Sequence, residues 1–540
     1  MVRASQSIFA SLILVFLLSF TLGGKHPVVA QEEEPPKRQT SIVISTTQYE
    51  WWLIRWADNQ IVCQVFIDHD GLPTRDEVAQ ACDQSIYEEW NKTPPCEQAD
   101  KGIREATTCT GMYIFEVGFE TRDRTVVIDL PLPTAWVSLK GCTLSPPENL
   151  CKTLPSLLIT GEEPLPNEHI NAIQAVIGKK TYTCNAGVCE IPLKPTVRRG
   201  ITVEFWAESS FGDTSEHYSA LVRIVDSGAT ESPVKGGWFV DVMSTQWQGG
   251  LVESCAQIWD SFPPVGGPPF WLSNPTHEEL LASDEPFHYL AGRLIDHGLV
   301  DVTGCPDGGL LPNGYGNACG LEFARPMIDL WQNQFDEPII RVAQETGLPA
   351  QLMKNMFAQE SQFWPGIFRV SKEFGLGQIT ELGADTIMVW NPNFFDQFCP
   401  LVLDESTCAR GYLRLQEDES AILRGALALQ ANADCPECPD GIDLTSANLS
   451  ITLFAQSLLA NCRQVSRTIF NATNTSPGQV SPYEDLWRFT LANYNAGPGC
   501  LAFAIHTTWL QRKPLEWANV SSNFTEACQG ALTYVDLVAK

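Results

Sequence analysis

Positive charge is scarce in this 540-residue chain: Lys and Arg number 35 against 64 Asp and Glu, a formal net charge of -29. Phosphate neutralisation needs clustered Lys and Arg, so this balance excludes nucleic acid as a partner and speaks mainly to solubility. Long apolar runs are also wanting. The one candidate, Ile8 to Leu22, is shorter than the roughly 20 residues of a spanning helix. With Arg3 ahead of it and Val28, Val29 and Ala30 behind, it reads as a secretory signal over residues 1–30, or alternatively as an uncleaved signal anchor. No cysteine precedes Cys63, which argues against a lipid-modified N-terminus. Metal-ligand spacing is missing as well: Cys435 and Cys438 form a CxxC with no second CxxC or CxxH at zinc-finger distance. No metal and no cofactor are expected.

What is present begins with 18 cysteines, all beyond the signal. An even number in an exported chain reads as a disulfide framework, with redox or zinc chemistry as the alternatives. Residues 31–40 form a charged, Pro-containing tether expected to be disordered. Residues 41–110 read as a small α/β region. Two β-rich runs close on Asp70-Gly71, and Thr74 with Glu77 has capping-box spacing before EVAQACDQSIYEEW. Asp68, Asp70, Gly71 and Glu77 echo part of a calcium loop, but Phe66 holds its first ligand position, which favours a plain turn.

Over 111–228, runs such as MYIFEVGF, TVVIDLPL, KTYTC, CEIPL, ITVEFWAES and SALVRIV alternate with turns as in an immunoglobulin-like β-sandwich. Cys184 and Cys189 would clip one hairpin there, and no catalytic constellation is visible. Residues 229–304 are expected to be linker and short helices, and 305–540 a mainly α domain. The predicted fold class is therefore multidomain α+β, with a β-rich N-terminal region and a mainly α C-terminal domain.

The chemistry gathers in the last part. Asp336 can cap a helix that has Pro338 in its first turn and stops at Gly347. Pro349 opens a second helix, PAQLMKNMFAQES, in which Met353, Met356, Phe357 and Glu360 fall at i, i+3, i+4 and i+7. That spacing puts Glu360 on the buried face and leaves Lys354 and Gln359 off it. An acid on an apolar stripe breaks the local pattern, as functional residues do. Desolvation there would raise its pKa, which suits a general acid. A Glu at a helix end that simply faces solvent is the bland alternative. Gln378 follows within FGLGQIT, and much later LANYNAGPG carries Tyr494 and Asn495.

Together these blocks resemble the lytic transglycosylase family of the lysozyme superfamily, over roughly residues 325–540. LPAQLMKNMFAQESQFWPG resembles that family's helix ending in Glu-Ser, FGLGQIT its Gly-Leu-Met-Gln loop, LANYNAGPG its Ala-Tyr-Asn motif, and ALTYVDLVAK its closing helix. The resemblance implies a lysozyme-like fold for 305–540 and peptidoglycan glycan strands as substrate. It makes Glu360 the single acid/base, supported by a hydrogen bond from Ser361. Gln378 would hold an acetamido group, and Tyr494 would position the carboxyl or the sugar. Asn495 would serve structure or binding, and Gly375 and Gly377 would let backbone approach the glycan.

Two departures stand out. Gly377 replaces the family's Met, removing an apolar contact, and the interval from Gln378 to Tyr494 is longer than in a minimal domain. Its extra stretch, about 395–465, holds Cys399, Cys408, Cys435, Cys438 and Cys462 and reads as a disulfide-braced insertion. Ordinary glycosidases use two carboxylates, whereas the matched motifs supply one. Glu373, Glu381 and Asp385 near the loop keep a lysozyme-like hydrolase open. A non-catalytic cell-surface glycan binder is the third reading, its β-rich half meeting surface or wall components. Trp364 and Trp390 are candidates for sugar stacking or for the core.

Overall fold

The computed structural model describes residues 38–93, 110–144, 149–228, 236–249, 254–283, 286–366 and 373–540. The expected signal, most of the tether, Cys96 and Cys109 lie outside them. The chain divides into two compact units, Met1–Leu130 and Pro131–Lys540.

The first unit is a three-stranded antiparallel sheet of order β2-β1-β3 with two short helices. Its elements are β1 (Gln39–Arg55), β2 (Ile61–Ile67), α1 (Arg75–Ala81), α2 (Gln84–Asn91) and β3 (Met112–Asp129). The predicted capping box forms, with Thr74 accepting from the Glu77 backbone and Glu77 reaching back. Cys63 is bonded to Cys82, and alternate residues Trp51, Leu53, Val65 and Ile67 close a small core over Val78. The runs MYIFEVGF and TVVIDLPL, expected as sandwich strands, belong to this unit instead. Through Asp129 they lie in one 18-residue strand, β3, paired with β1 from Arg55↔Met112 to Gln39↔Asp129. The polar stretch between them reads as a turn only while its partner is unseen. A strand of matching length satisfies its backbone. From Gln39 to Gln48 the ribbon is two-stranded, because β2 joins only at Tyr49.

The second unit opens with nine strands: β4 (Thr134–Lys140), β5 (Leu150–Cys151), β6 (Ser156–Glu162), β7 (Ile170–Ile177), β8 (Lys180–Cys184), β9 (Val188–Pro192), β10 (Ile201–Ser209), β11 (Tyr218–Asp226) and β12 (Trp238–Met243). They make a six-stranded sheet of order β5-β12-β11-β10-β7-β8 and a three-stranded sheet of order β4-β6-β9. Val137, Leu157 and Ile159 of the smaller sheet share one buried cluster with Ile173, Val203, Phe205 and Val222 of the larger. The β-sheet region thus runs from 134 to 243 rather than 111 to 228. Cys184 and Cys189 are bonded, but they link strands of different sheets instead of clipping one hairpin.

Helices follow: α3 (Ser254–Trp259), α4 (His288–Asp296), α5 (Ala318–Asn333), α6 (Asp336–Thr346), α7 (Ala350–Glu360), α8 (Glu381–Trp390), α9 (Pro392–Phe398), α10 (Glu405–Cys408) and α11 (Glu417–Ala431). The 30-residue α12 (Leu444–Thr473) is next, then α13 (Pro477–Val480), α14 (Tyr483–Ala496), α15 (Pro498–Leu510), α16 (Trp517–Ser521) and α17 (Gly530–Val538). At about 1.5 Å per residue α12 spans roughly 45 Å, and its buried Phe454, Leu458 and Val465 sit in one core with Trp259, Leu290, Phe357 and Trp487. α3 and α4 are therefore part of the helical body, not a linker, and Cys255 of α3 is bonded to Cys462 of α12. The expected insertion is smaller than its boundaries suggested. α9 to α11 close their own cluster of Phe395, Phe398, Leu423 and Leu427 against Ile387 of α8, braced by Cys399–Cys408. Cys462 belongs instead to the body's central helix. Eight disulfides among the described residues fit an extracytoplasmic location. No described helix is long and apolar enough to cross a membrane.

Candidate active site

Gly347 ends α6 in the left-handed conformation, φ 68°, which a Cβ would strain. Pro349 then starts α7, whose first backbone N–H is tied to Asn274 Oδ1 at 2.7 Å. The expectation that Lys354 lies off the buried face is overturned. It is 1% exposed and donates to Asp336 Oδ2 at 2.8 Å, and more weakly to Leu281 O and Asn333 Oδ1 at 3.3 Å. Asp336 is accordingly no helix cap. Phe335 occupies that position, and Asp336 turns inward to the lysine. Burial pushes its carboxyl up to about 6, against the pull of Lys354, and holds the Lys354 ammonium below its ordinary range. α7 is thus buried nearly all round, so an apolar stripe does not single out Glu360. Its place at the C-terminal end of the helix brings it, half-buried, to the wall of a cleft.

That cleft has a volume of about 860 Å³. Gln359 and Glu360 line it, with Glu373 and Gln378 from the following loop, one side of α8, a stripe of α12, the end of α14 and a face of α17. Glu360 Oε1 accepts a 2.6 Å hydrogen bond from the Tyr534 hydroxyl of α17. The Tyr494 hydroxyl donates to Gly377 O. Burial first, and then the Glu360 carboxylate, push both phenols well above their ordinary range. Both therefore stay protonated donors around neutral pH.

Gln378 sits in the left-handed conformation, φ 52°, and is 6% exposed. Its Nε2 donates to Gly375 O at 2.8 Å and Gly366 O at 3.2 Å, which fixes the amide's orientation. Its buried Oε1 has no hydrogen-bond partner among the described residues. A ligand N–H is the kind of group that would satisfy it.

Of the residues singled out in the sequence, Glu360, Gln378, Tyr494 and Asn495 meet at the cleft, while Ser361, Gly375 and Gly377 lie beneath it. Ser361 is fully buried, and its Oγ donates to Leu376 O at 2.7 Å, pinning the loop under the helix end. Both glycines sit in tight packing. A Cβ on Gly375 would lie 2.8 Å from Ala431 O, and one on Gly377 would lie 2.1 Å from the Phe454 ring. Asn495 is exposed at the rim. Trp364 is core, stacked on Trp331 at 5.3 Å, whereas Trp390 borders the cleft.

Several cleft residues escaped the sequence reading. Asn493 is 2% exposed and donates to Asn461 Oδ1 and Gln464 Oε1, both at 2.7 Å. Ser457, Asn461 and Gln464 recur at i, i+4 and i+7 along one face of α12, a polar stripe legible from spacing. Tyr534 lay in the closing segment ALTYVDLVAK without a role. Of the nearby acids, Glu373 and Asp385 line the cleft and Glu381 does not. Asp385 is engaged by Arg424 at 3.1 Å and by the Tyr412 hydroxyl. Among the described residues no group of three or more His, Cys, Asp or Glu is placed to hold a metal ion. Comparison with family models, with curated proteins and with solved structures returns no match.

Proposed function

We propose that this chain is an extracytoplasmic lytic transglycosylase with a lysozyme-like helical domain, and that its cleft takes peptidoglycan glycan strands. The observation that carries this reading is the convergence of three distant segments on one cleft. Glu360 ends a buried helix, Tyr534 donates to it at 2.6 Å, and Gln378 offers a buried, unpartnered amide oxygen to the same cleft. In this scheme Glu360 protonates the oxygen of the β-1,4 bond between N-acetylmuramic acid and N-acetylglucosamine. The muramyl acetamido oxygen closes on the anomeric carbon as that bond breaks, and Gln378 Oε1 accepts from the acetamido N–H. Glu360, now a carboxylate, takes the proton of the C6 hydroxyl as that oxygen displaces the acetamido group and forms the 1,6-anhydro ring. No water is consumed, so a single carboxyl suffices.

A second reading, hydrolysis, draws on Glu373, which lines the cleft together with Glu360 and with Asp385, the latter engaged by Arg424. Such a group could activate water against the same bond. We read the two-sheet region as an immunoglobulin-like module for surface or wall components. The test is digestion of purified peptidoglycan followed by mass spectrometry. Muropeptides lighter by one water than hydrolytic products support the transglycosylase. Ordinary reducing ends that vanish in Glu373→Gln indicate the hydrolase, and no release at all overturns both in favour of a binder.

A further inference from the structure

α12 presents two polar stripes. Ser457, Asn461 and Gln464 face the cleft, while Arg463, Ser466, Arg467 and Phe470, at i, i+3, i+4 and i+7, line a second groove of about 590 Å³. Val389 and Trp390 border both, so the groove continues the cleft. Arg463 is held in place from below, its Nη1 donating to Asn391 Oδ1 at 2.6 Å and Trp390 O at 3.3 Å. Arg467 lies 5.8 Å from the Phe470 ring centroid. Neither guanidinium is in a salt bridge with a described residue. The groove's own carboxylate, Asp260, accepts instead from Ser476 Oγ at 2.9 Å. In a chain of net charge -29, two arginines in one groove without a salt bridge to a described residue mark a seat for an anion, and a guanidinium fork matches a carboxylate in particular.

We infer that this groove is a subsite for the carboxylates of the peptide stem carried by the glycan strand, an inference that rests on the glycan-strand reading of the cleft. A strand lying past Trp390 would bring its lactyl-linked stem over Arg463 and Arg467. The enzyme then prefers strands that carry stems over strands stripped of them.

The experiment uses the full chain with Glu360→Gln, and measures calorimetric affinity for matched glycan fragments with and without stems. Stemmed fragments should bind about tenfold tighter, the lower end for a charge-assisted hydrogen bond. R467Q, an exposed position, and R463Q should each bring that ratio toward one, as should amidation of the stem carboxylates. Equal affinity for the two fragments overturns the subsite. So does an unchanged ratio in both arginine variants, or a ratio that inorganic phosphate abolishes while amidated stems retain it. Turnover by the unmodified chain is read separately. If it cuts neither substrate, the cleaving reading fails while the affinity ratio still decides the groove.

Discussion

The Tyr534 hydroxyl, on the last helix of the chain, donates to Oε1 of Glu360 across 2.6 Å, joining positions 174 residues apart. This bond holds the carboxyl in one orientation, so Tyr534 is a positioning residue. Tyr534→Phe removes the donor but keeps the ring, and a hydrogen bond to a charged group is worth about 1.5–3 kcal/mol. The expected result is a fall in kcat of roughly tenfold or more with KM little changed, read from muropeptide release. Full activity in Tyr534→Phe with a loss confined to Tyr534→Ala would point to the ring rather than the hydroxyl.

Glu360→Gln keeps the shape and removes the proton donor. General acid–base catalysis contributes about 10²–10⁴-fold, so turnover should drop by at least that range while the melting temperature stays put. Substantial residual activity at an unchanged melting temperature would move the catalytic role elsewhere in the cleft.

Gly377 bears on the packing of the loop. A Cβ there would lie 2.1 Å from the fully buried Phe454 ring, and the Gly377 carbonyl is the acceptor for Tyr494. Gly377→Ala should lower both stability, by about 1–3 kcal/mol for overpacking, and activity. Adding Phe454→Leu should recover part of each. Denaturant titration and turnover of the single and double variants check this, and no recovery would show that the clash is not the cause.

The Asp336–Lys354 pair gives stability a pH signature. Asp336 has its folded carboxyl raised from 3.8 to about 6, so the folded state holds a proton that the unfolded state releases. That contribution is fully present below the ordinary carboxyl range and is lost as pH rises through about 6. Lys354→Met leaves the carboxylate buried without its counter-charge, at a cost of about 3–5 kcal/mol near neutrality. The loss should shrink at about pH 5, where Asp336 takes up its proton, and Asp336→Asn should offset much of it. Urea unfolding at two pH values is the check. A penalty independent of pH would refute the assignment.

Cys255–Cys462 closes a separation of 207 residues, against 3 for Cys435–Cys438. In the chain-entropy account the long loop is worth about 5 kcal/mol and the short one about 2. Replacing Cys255 and Cys462 with Ser should therefore lower the guanidinium midpoint far more than the same change at Cys435 and Cys438. Similar shifts for both pairs would contradict the loop-length argument.

Local signals in the sequence carried some of this organisation. The stop at Gly347, the start at Pro349 and the Thr74–Glu77 cap depend on neighbours a few residues away, and they appear where expected. The convergence of Glu360, Gln378 and Tyr494 was legible only through a family resemblance, since nothing in their spacing sets a distance. What periodicity misjudged was partnership. Lys354 looked solvent-facing because its counter-ion is 18 residues upstream, and β3 looked like two strands because β1 lies far behind it. Tyr534 and the α12 amides were hidden for the same reason, each being defined by what it faces.

The long pairing of β1 with β3 also fixes a length. β1 begins at Gln39 and β3 ends at Asp129, which are paired residues at one end of the ribbon. The disulfide-clipped head begins where β2 joins at Tyr49. Ten residues at about 3.4 Å each set the head roughly 34 Å away from that end. A random-coil spacer of equal length would reach as the square root of its residue number. Here two hydrogen-bonded strands make the span linear, so the distance within this unit from its paired strand ends to its disulfide-clipped part is set by residue count.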